Sequence, residues 1–429
     1  LDLFQVNEFI SLRLEHGKTF IYLAGKKFNQ CKSLKINIPY EEVSEIFSSI
    51  NSVDEITKFN DESVKIPPST EFWGHCSNLQ IWWENSYNTN LLHSNLSFPL
   101  LRELTYLGDS VANRVYKEEI AKRLRYGSYN NQRFLFSGKY MDVLSSQELI
   151  NGVLCPEEAN VLLDISVVTK CSYKMIPSFD EEDFRYGHYN IFFSARDGHI
   201  IELELNLDSM TQIPKNIQYL PKLRTLHIRL YNNSNHHFKF MFDAELDSIT
   251  DLKLFLYGPI EISDNFENLS KLEFLDIIGM DPKKRSSKFE KVPDSLCLLR
   301  NITSLRVQNI ELREIPASIN NLVFLTSLEI INTGLISIPA SLLELDYVQN
   351  IDLSHNPLKI TPEIEILERR FTQKIYKTIL KRSINGDTTN FEDLKIIFNV
   401  PDWLIKSNLT ILEINNKLFR VDSNYYIQS

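Results

Sequence analysis

Two stretches of the chain share one phrase. Residues 313–330 read "REIPASINNLVFLTSLEI", and residues 336–353 read "ISIPASLLELDYVQNIDL". Pro293, Pro316, Pro339 and Pro362 stand 23 residues apart. The apolar pair that closes each unit keeps the same beat, at Leu305/Val307, Leu328/Ile330 and Ile351/Leu353. Earlier pairs are Leu203/Leu205, Leu226/Ile228, Leu252/Leu254 and Leu275/Ile277, with successive spacings of 23, 26, 23 and then 30 to Leu305. Alternation such as "SLEI" predicts a short strand with one face buried. Proline fixes φ and lacks an N–H, so it ends the ladder where the chain leaves the strand side. Ile319, Leu322 and Leu325, each three apart, predict a helical or 3-10 arc that points inward. One such unit cannot bury its own apolar face, so units must stack on one another.

The period falls in the range of about 20–29 that marks leucine-rich repeats. The unit resembles the 23-residue class of intracellular leucine-rich-repeat proteins, such as the plant intracellular Ras-group family. The resemblance implies an α/β fold, a right-handed solenoid of about seven repeats with its strands on a concave face. It also makes a small GTPase one candidate partner. The asparagine that this class carries after each strand is present at Asn356, but its equivalents 23 and 46 residues earlier are Thr333 and Ile310. A weak asparagine ladder and an irregular stack are expected.

Two units are interrupted, by "RLYNNSNHHFKFMFDAELDSIT" after Ile228 and by "DPKKRSSK" at 281–288. Such insertions are expected to form loops on one edge. The first holds His236 and His237, read as an exposed Asn/His loop rather than as metal ligands. Solvent-facing strand positions then define the candidate partner-binding surface. They include Arg229, Lys253, Phe255, Phe274, Asp276, Arg306, Gln308, Glu329 and Asp352. Phe255 and Phe274 are the candidate anchors, because aromatic and Arg side chains carry most interface energy.

Residues 1–190 do not repeat, and an α+β capping domain is expected there. "FISLRLEHGKTFIYLAGKKF" predicts a hairpin, and "SLKINIP" a further strand. "EFWGHCSNLQIWWEN" places Phe72, His75/Cys76, Leu79 and Trp82/Trp83 on one helical face. "SSQELI" and "CPEEANVLLDI" carry Ser and Glu as helix caps do. "NIFFSARDGHIIELEL" predicts a hairpin around Asp197-Gly198 that leads into the first repeat, within the span 191–366 expected for the solenoid. Taken together, "EFWGHCSNLQIWWEN", "LLHSNLSFPLLRELTYLGD", "KEEIAKR" and "RDGHIIELEL" resemble the block that precedes the repeats in a group of archaeal leucine-rich-repeat proteins. That resemblance implies a family but no activity. Cys76 and His93 are of the residue types of a catalytic pair, but no flanking signature supplies a base or an oxyanion donor.

From Leu367 the period stops. "ERRFTQKIYKTILKRS", "TTNFEDLKIIFNV", "PDWLIKSNLTILEINNKL" and "LFRVDSNYYIQ" read as three helices and a two-stranded wing, with Asn390 as a cap. Residues 367–429 thus resemble a winged-helix module. The module carries 10 Lys/Arg against 7 Asp/Glu, a net +3. Its charge sits on the first helix, at Arg369, Arg370, Lys374, Lys377, Lys381 and Arg382, which are candidate contacts for nucleic acid or an acidic partner. The third helix, which should enter the major groove, has no Arg. Capping or protein contact is therefore the first reading of this tail, and DNA regulation the second.

The whole chain of 429 residues carries a formal charge of −10, which disfavours coating nucleic acid. Five dispersed cysteines without CxxC argue against a disulfide framework or a structural zinc site and predict five buried thiols. A reducing, cytoplasmic location without a membrane span or signal peptide is expected. No phosphate loop, GxGxxG or HExxH occurs, so neither cofactor nor enzymatic activity is expected. The leading expectation is a non-catalytic scaffold whose concave face binds a protein partner.

Overall fold

The computed structural model describes residues 2–29, 67–138, 140–179, 190–234, 236–283, 287–289, 291–345 and 347–359. Beyond these it describes 363, 366–367, 389–390, 393–394, 409, 418–421 and 424–427. The chain divides into two compact units, Leu1–Val153 and Leu154–Ser429.

The first unit begins with an antiparallel sheet in the order β1-β2-β3-β4, formed by Leu3–Gln5, Ile10–Glu15, Lys18–Leu23 and Lys26–Lys27. His16 and Gly17 join β2 to β3 with φ of 52° and 73°. Two left-handed residues in a two-residue loop match the twist of the flanking strands. The strand expected at "SLKINIP" lies outside the described residues. Strands β1 and β4 were not foreseen, because two or three residues are too short to show alternation.

Five helices follow: α1 (Pro68–Glu84), α2 (Ser94–Tyr106), α3 (Ser110–Tyr126), α4 (Tyr129–Ser137) and α5 (Ser146–Val153). Helix α1 buries Phe72, Cys76, Leu79 and Trp82 on one stripe, while Trp83 stays partly exposed. Asp109 caps α3 by accepting the N–H groups of Val111 and Ala112, both at 3.0 Å. Ser145 and Glu148 form a reciprocal cap at α5, with the Ser145 N–H donating to Glu148 Oε2 at 2.8 Å. Gly152 lets α5 approach α3 closely, since a Cβ there would stand 2.7 Å from that of Ala121.

The second unit opens with α6 (Pro156–Thr169) and β5 (Ser172–Met175). Strand β5 runs parallel to β6 (Asn190–Arg196), the outer arm of the hairpin that feeds the repeats. Asp197 and Gly198, at φ of 52° and 84°, turn β6 into β7 (His199–Asp208). The repeat strands are β8 (Thr225–Tyr231), β10 (Asp251–Tyr257), β12 (Phe274–Gly279), β13 (Ser304–Gln308), β14 (Ser327–Ile331) and β15 (Asn350–Asp352), with β9 (Phe238–Phe240) and β11 (Ile260–Ile262) lying in a separate ladder. The sheet order is β15-β14-β13-β12-β10-β8-β7-β6-β5. Leu203, Leu226, Leu252, Leu275, Leu305, Leu328 and Ile351 pair across successive strands. These residues are buried, and the side chains between them alternate outward. The mixed α/β sheet of parallel repeat strands is thus present.

The first insertion is not a simple loop. Its Phe238–Phe240 forms β9, which pairs in parallel with β11 (Ile260–Ile262). The reason is apolar content: Phe240 and Phe242 are fully buried and continue through Phe266 to Phe289, with ring centroids 5.4, 5.2 and 6.1 Å apart. Lys288 of the second insertion extends this ladder by bridging Glu261 and Glu311. His236 and His237 lie in the short link before β9 and are exposed.

The asparagine expectation needs a similar adjustment. Asn356 Oδ1 accepts the N–H groups of Thr333, Gly334 and Leu335 at 2.9, 3.0 and 3.2 Å. One position upstream runs a second series. Asn309, Asn332 and His355, spaced by 23, all adopt left-handed φ of 53–60°. Asn332 Nδ2 donates to Asn309 Oδ1 at 2.9 Å. Asparagine tolerates this region better than most residues.

Cys76, Cys171 and Cys297 are buried free thiols, but Cys155 is only half-buried, which corrects the expectation of a uniformly buried set. Cys155 stands at the N-cap of α6, where the chain emerges from the core, and Cys31 lies outside the described residues. Near the end of the chain, β16 (Thr389–Asn390), β18 (Asn424–Ile427) and β17 (Leu418–Val421) form a small antiparallel sheet. Asn390 and Asp393 exchange side-chain-to-backbone bonds at 2.8 and 3.0 Å, the geometry of a helix cap. No helix among the described residues is long and apolar enough to cross a membrane.

Candidate partner-binding face

Because the strands are parallel and in register, each outward position becomes a row across the sheet. The central row reads Glu204, His227, Lys253, Asp276, Arg306, Glu329, Asp352. Its signs largely alternate, so neighbours can pair: Lys253 reaches Asp276 at 3.4 Å and Arg306 reaches Glu329 at 3.1 Å. Phe274 lies in the row on one side, and Phe255 and Gln308 in the row on the other. Phe179, Phe255, Phe274, Lys253, Asp276, Arg306 and Glu329 line an open groove of about 710 Å³. Phe274 is 45% exposed, while Phe255 is half-buried.

The two ends of the central row differ. Glu204 is 1% exposed and accepts from Arg229 Nε at 2.8 Å, with His227 Nδ1 at 3.7 Å. Burial acts to raise its pKa, yet the bonds to His227 and Arg229 hold it below the usual glutamate value. Arg229 also donates to the Tyr257 hydroxyl at 3.1 Å and lies 4.8 Å over the Phe255 ring. Arg229 is therefore committed to internal partners. Glu329, at the other end, has its pKa raised: burial dominates over the attraction of Arg306, and Asp352 and Asp276 add smaller repulsions. A face that binds its own charges at one end and frustrates a carboxylate at the other is polarised along its length.

The structure thus brings Lys253, Phe255, Phe274, Asp276, Arg306 and Glu329 together around one groove. Gln308 and Asp352 sit on the same face, half-buried, outside the groove lining. Arg369, Arg370, Lys374, Lys377, Lys381 and Arg382 lie outside the described residues. Phe179 was not foreseen. It precedes the repeats, but its ring stands 4.9 Å from that of His227, and its N–H donates to Glu202 at 3.0 Å. Buried Glu204 was likewise missed as an electrostatic anchor. The available signal was Arg229 facing it one repeat later.

The cysteine and histidine of the N-terminal unit have structural roles. Cys76 is 1% exposed, and burial pushes its thiol up to about 11, so it stays protonated at neutral pH. His93 Nδ1 accepts the Asn95 N–H at 3.1 Å and caps α2.

No protein-family profile matches the chain, and no curated protein matches it by sequence. Among solved structures, a leucine-rich-repeat protein of Leptospira interrogans is 23% identical over 38% of this chain and 46% of its own, with a TM-score of 0.27. A plant ice-binding protein is 22% identical over 48% of this chain and 65% of its own, at 0.33. The leucine-rich repeat domain of a type III effector is 16% identical over 60% and 69%, at 0.29. The matched region spans less than two thirds of the first two chains. The repeat architecture here rests on the register of this chain's own strands.

Proposed function

We propose that this protein is a non-catalytic scaffold that binds a protein partner through the open face of the repeat sheet. The observation that carries this reading is the groove itself. It joins an exposed Phe274 to a row of charged residues whose rigid spacing is set by strand register. Apolar anchors flanked by pairable charges suit a polypeptide with complementary charges and an apolar side chain. A small GTPase is the candidate that the repeat class suggests. Four free thiols among the described residues support work in a reducing, cytoplasmic compartment.

The test exploits the Arg306–Glu329 pair. The swap Arg306→Glu/Glu329→Arg keeps an ion pair in place, so the fold is retained while the polarity of the face is reversed. Wild type and swap variant are used side by side as bait in nuclease-treated lysate of the source organism, read by mass spectrometry. A protein held by wild type and lost by the swap supports the reading and names the partner. Identical protein sets from both baits would overturn it.

A further inference from the structure

We propose that Cys155, Glu158 and His199 form a binding site for a divalent transition-metal ion, with zinc the best chemical fit. None of the three lines the groove of the open face, and the site does not depend on the scaffold reading. Its three donor atoms, one thiol, one carboxylate oxygen and one imidazole nitrogen, all lie within 4.8 Å of one another.

The three residues are 3 and 41 positions apart (158−155, 199−158), so no short motif announces them. Tertiary structure brings them together. Cys155 and Glu158 stand at the start of α6, and His199 follows the Asp197-Gly198 turn. The Cys155 N–H donates to the Gly198 carbonyl at 2.8 Å, which clamps the helix start to the hairpin. Glu158 Oε2 accepts the Ile200 N–H at 2.7 Å, while Oε1 meets His199 Nδ1 at 2.7 Å. One carboxylate oxygen is thus fixed by the backbone and the other is aimed at the cluster, as a well-supported ligand requires.

Burial and charge point to a cation. Glu158 is 1% exposed, and a buried carboxylate calls for a positive partner. A thiolate and a carboxylate together carry two negative charges, which one divalent ion neutralises. Zinc binds sulfur, nitrogen and oxygen at about 2.0–2.3 Å, so donors on one ion stand roughly 3.3–3.7 Å apart. Small side-chain rotations reach that spacing from the present arrangement. A single carboxylate beside sulfur and nitrogen does not suit calcium or magnesium, which take oxygen ligands. Cys155 and His199 are only half-buried, which leaves a fourth position open to water. The Cys155 side chain makes no capping bond to α6, so it is not otherwise engaged there. On binding, the ion replaces the thiol proton, which is released to solvent, and the imidazole ligates as the neutral ring through Nδ1 with its one proton on Nε2.

The experiment titrates the full chain, stripped with chelator, with zinc against a chromophoric competitor and with cobalt by visible absorption. The expected result is one ion per chain, a thiolate-to-cobalt charge-transfer band, and a higher melting temperature with zinc. Cys155→Ser should abolish the band, and His199→Gln should weaken zinc binding by roughly tenfold or more. Serine is a good helix N-cap, so Cys155→Ser should fold, and circular dichroism checks this. His236→Gln/His237→Gln should bind as wild type does. Absence of stoichiometric binding at micromolar zinc would overturn the proposal. So would binding that survives in Cys155→Ser and His199→Gln, or is lost in the His236/His237 variant.

Discussion

The two units of this chain solve the same problem by opposite means. In Leu1–Val153, four of the five helices start on a side-chain cap of their own and make their own contacts: Asp109 starts α3, Ser145 with Glu148 starts α5, and Gly152 fits against Ala121. In the repeat sheet, one arrangement recurs, every 23 residues where no insertion interrupts it, and each strand uses its neighbour as its wall. Local unique contacts tie stability to individual helices. Repeated contacts tie it to the joints between units. The comparison teaches that a residue's worth in the second region depends on how many neighbouring repeats it touches.

The aromatic chain is where that difference should be largest. Phe266 is fully buried between Phe242 and Phe289 and so joins successive turns of the stack. Phe266→Ala should cost roughly 3–5 kcal/mol, read by denaturant unfolding. The loss should appear in a transition belonging to the repeat unit, with that of the helical unit unmoved. One shared transition, shifted as a whole, would break the division into two units.

A middling effect is expected at Asn356. Its side chain holds three N–H groups of the preceding repeat and donates to the Ile330 carbonyl at 2.6 Å. Asn356→Ala leaves these groups without their partner and should cost about 1–3 kcal/mol. Hydrogen exchange should then quicken at Thr333, Gly334 and Leu335 and stay unchanged in α3. Unchanged exchange at those three amides would remove the joint from the comparison.

The smallest effect belongs to Glu148. The side-chain bond from Lys117 and the bonds from Ser145 hold its carboxyl down at about 2, against 4.5 when free. Its folded pKa is depressed, so its contribution is complete above about 4.5 and fades as pH falls toward 2. The group is partly exposed, and screening limits its effect to about 1 kcal/mol or less. Glu148→Gln should flatten the acid limb of the helical unit's stability between those two pH values, without moving the repeat unit. An equal change in both units would contradict the local character of that cap.

The sequence was most readable where a pattern had a period. The strand pairs from Leu203 to Ile351, the hairpins at His16-Gly17 and Asp197-Gly198, and the Ser145–Glu148 cap each follow from local chemistry. Phe238–Phe240 was less readable, because a three-residue strand inside a polar insertion shows no repeat spacing. The Asn309, Asn332 and His355 series was less readable, because a left-handed backbone position leaves no apolar spacing and a histidine ends the series. In the groove, Lys253, Phe255, Phe274, Asp276, Arg306 and Glu329 were readable as outward positions, since strand alternation fixes direction. Phe179 was not, because it reaches the face from a segment with no period.

Sequence alone therefore determined the repeat, its strand register and the identity of the side chains on the open face. These depend on spacing, and spacing survives in one dimension. Only the tertiary structure decided which of those side chains line the groove. Arg229 turned inward to buried Glu204, whereas Arg306 and Glu329 pair at the groove. It also decided that Cys155, Glu158 and His199 meet, because a helix start and a hairpin turn dock there. Pairing and burial are properties of distance in space, and residues 41 positions apart in the chain (199−158) acquire it only on folding.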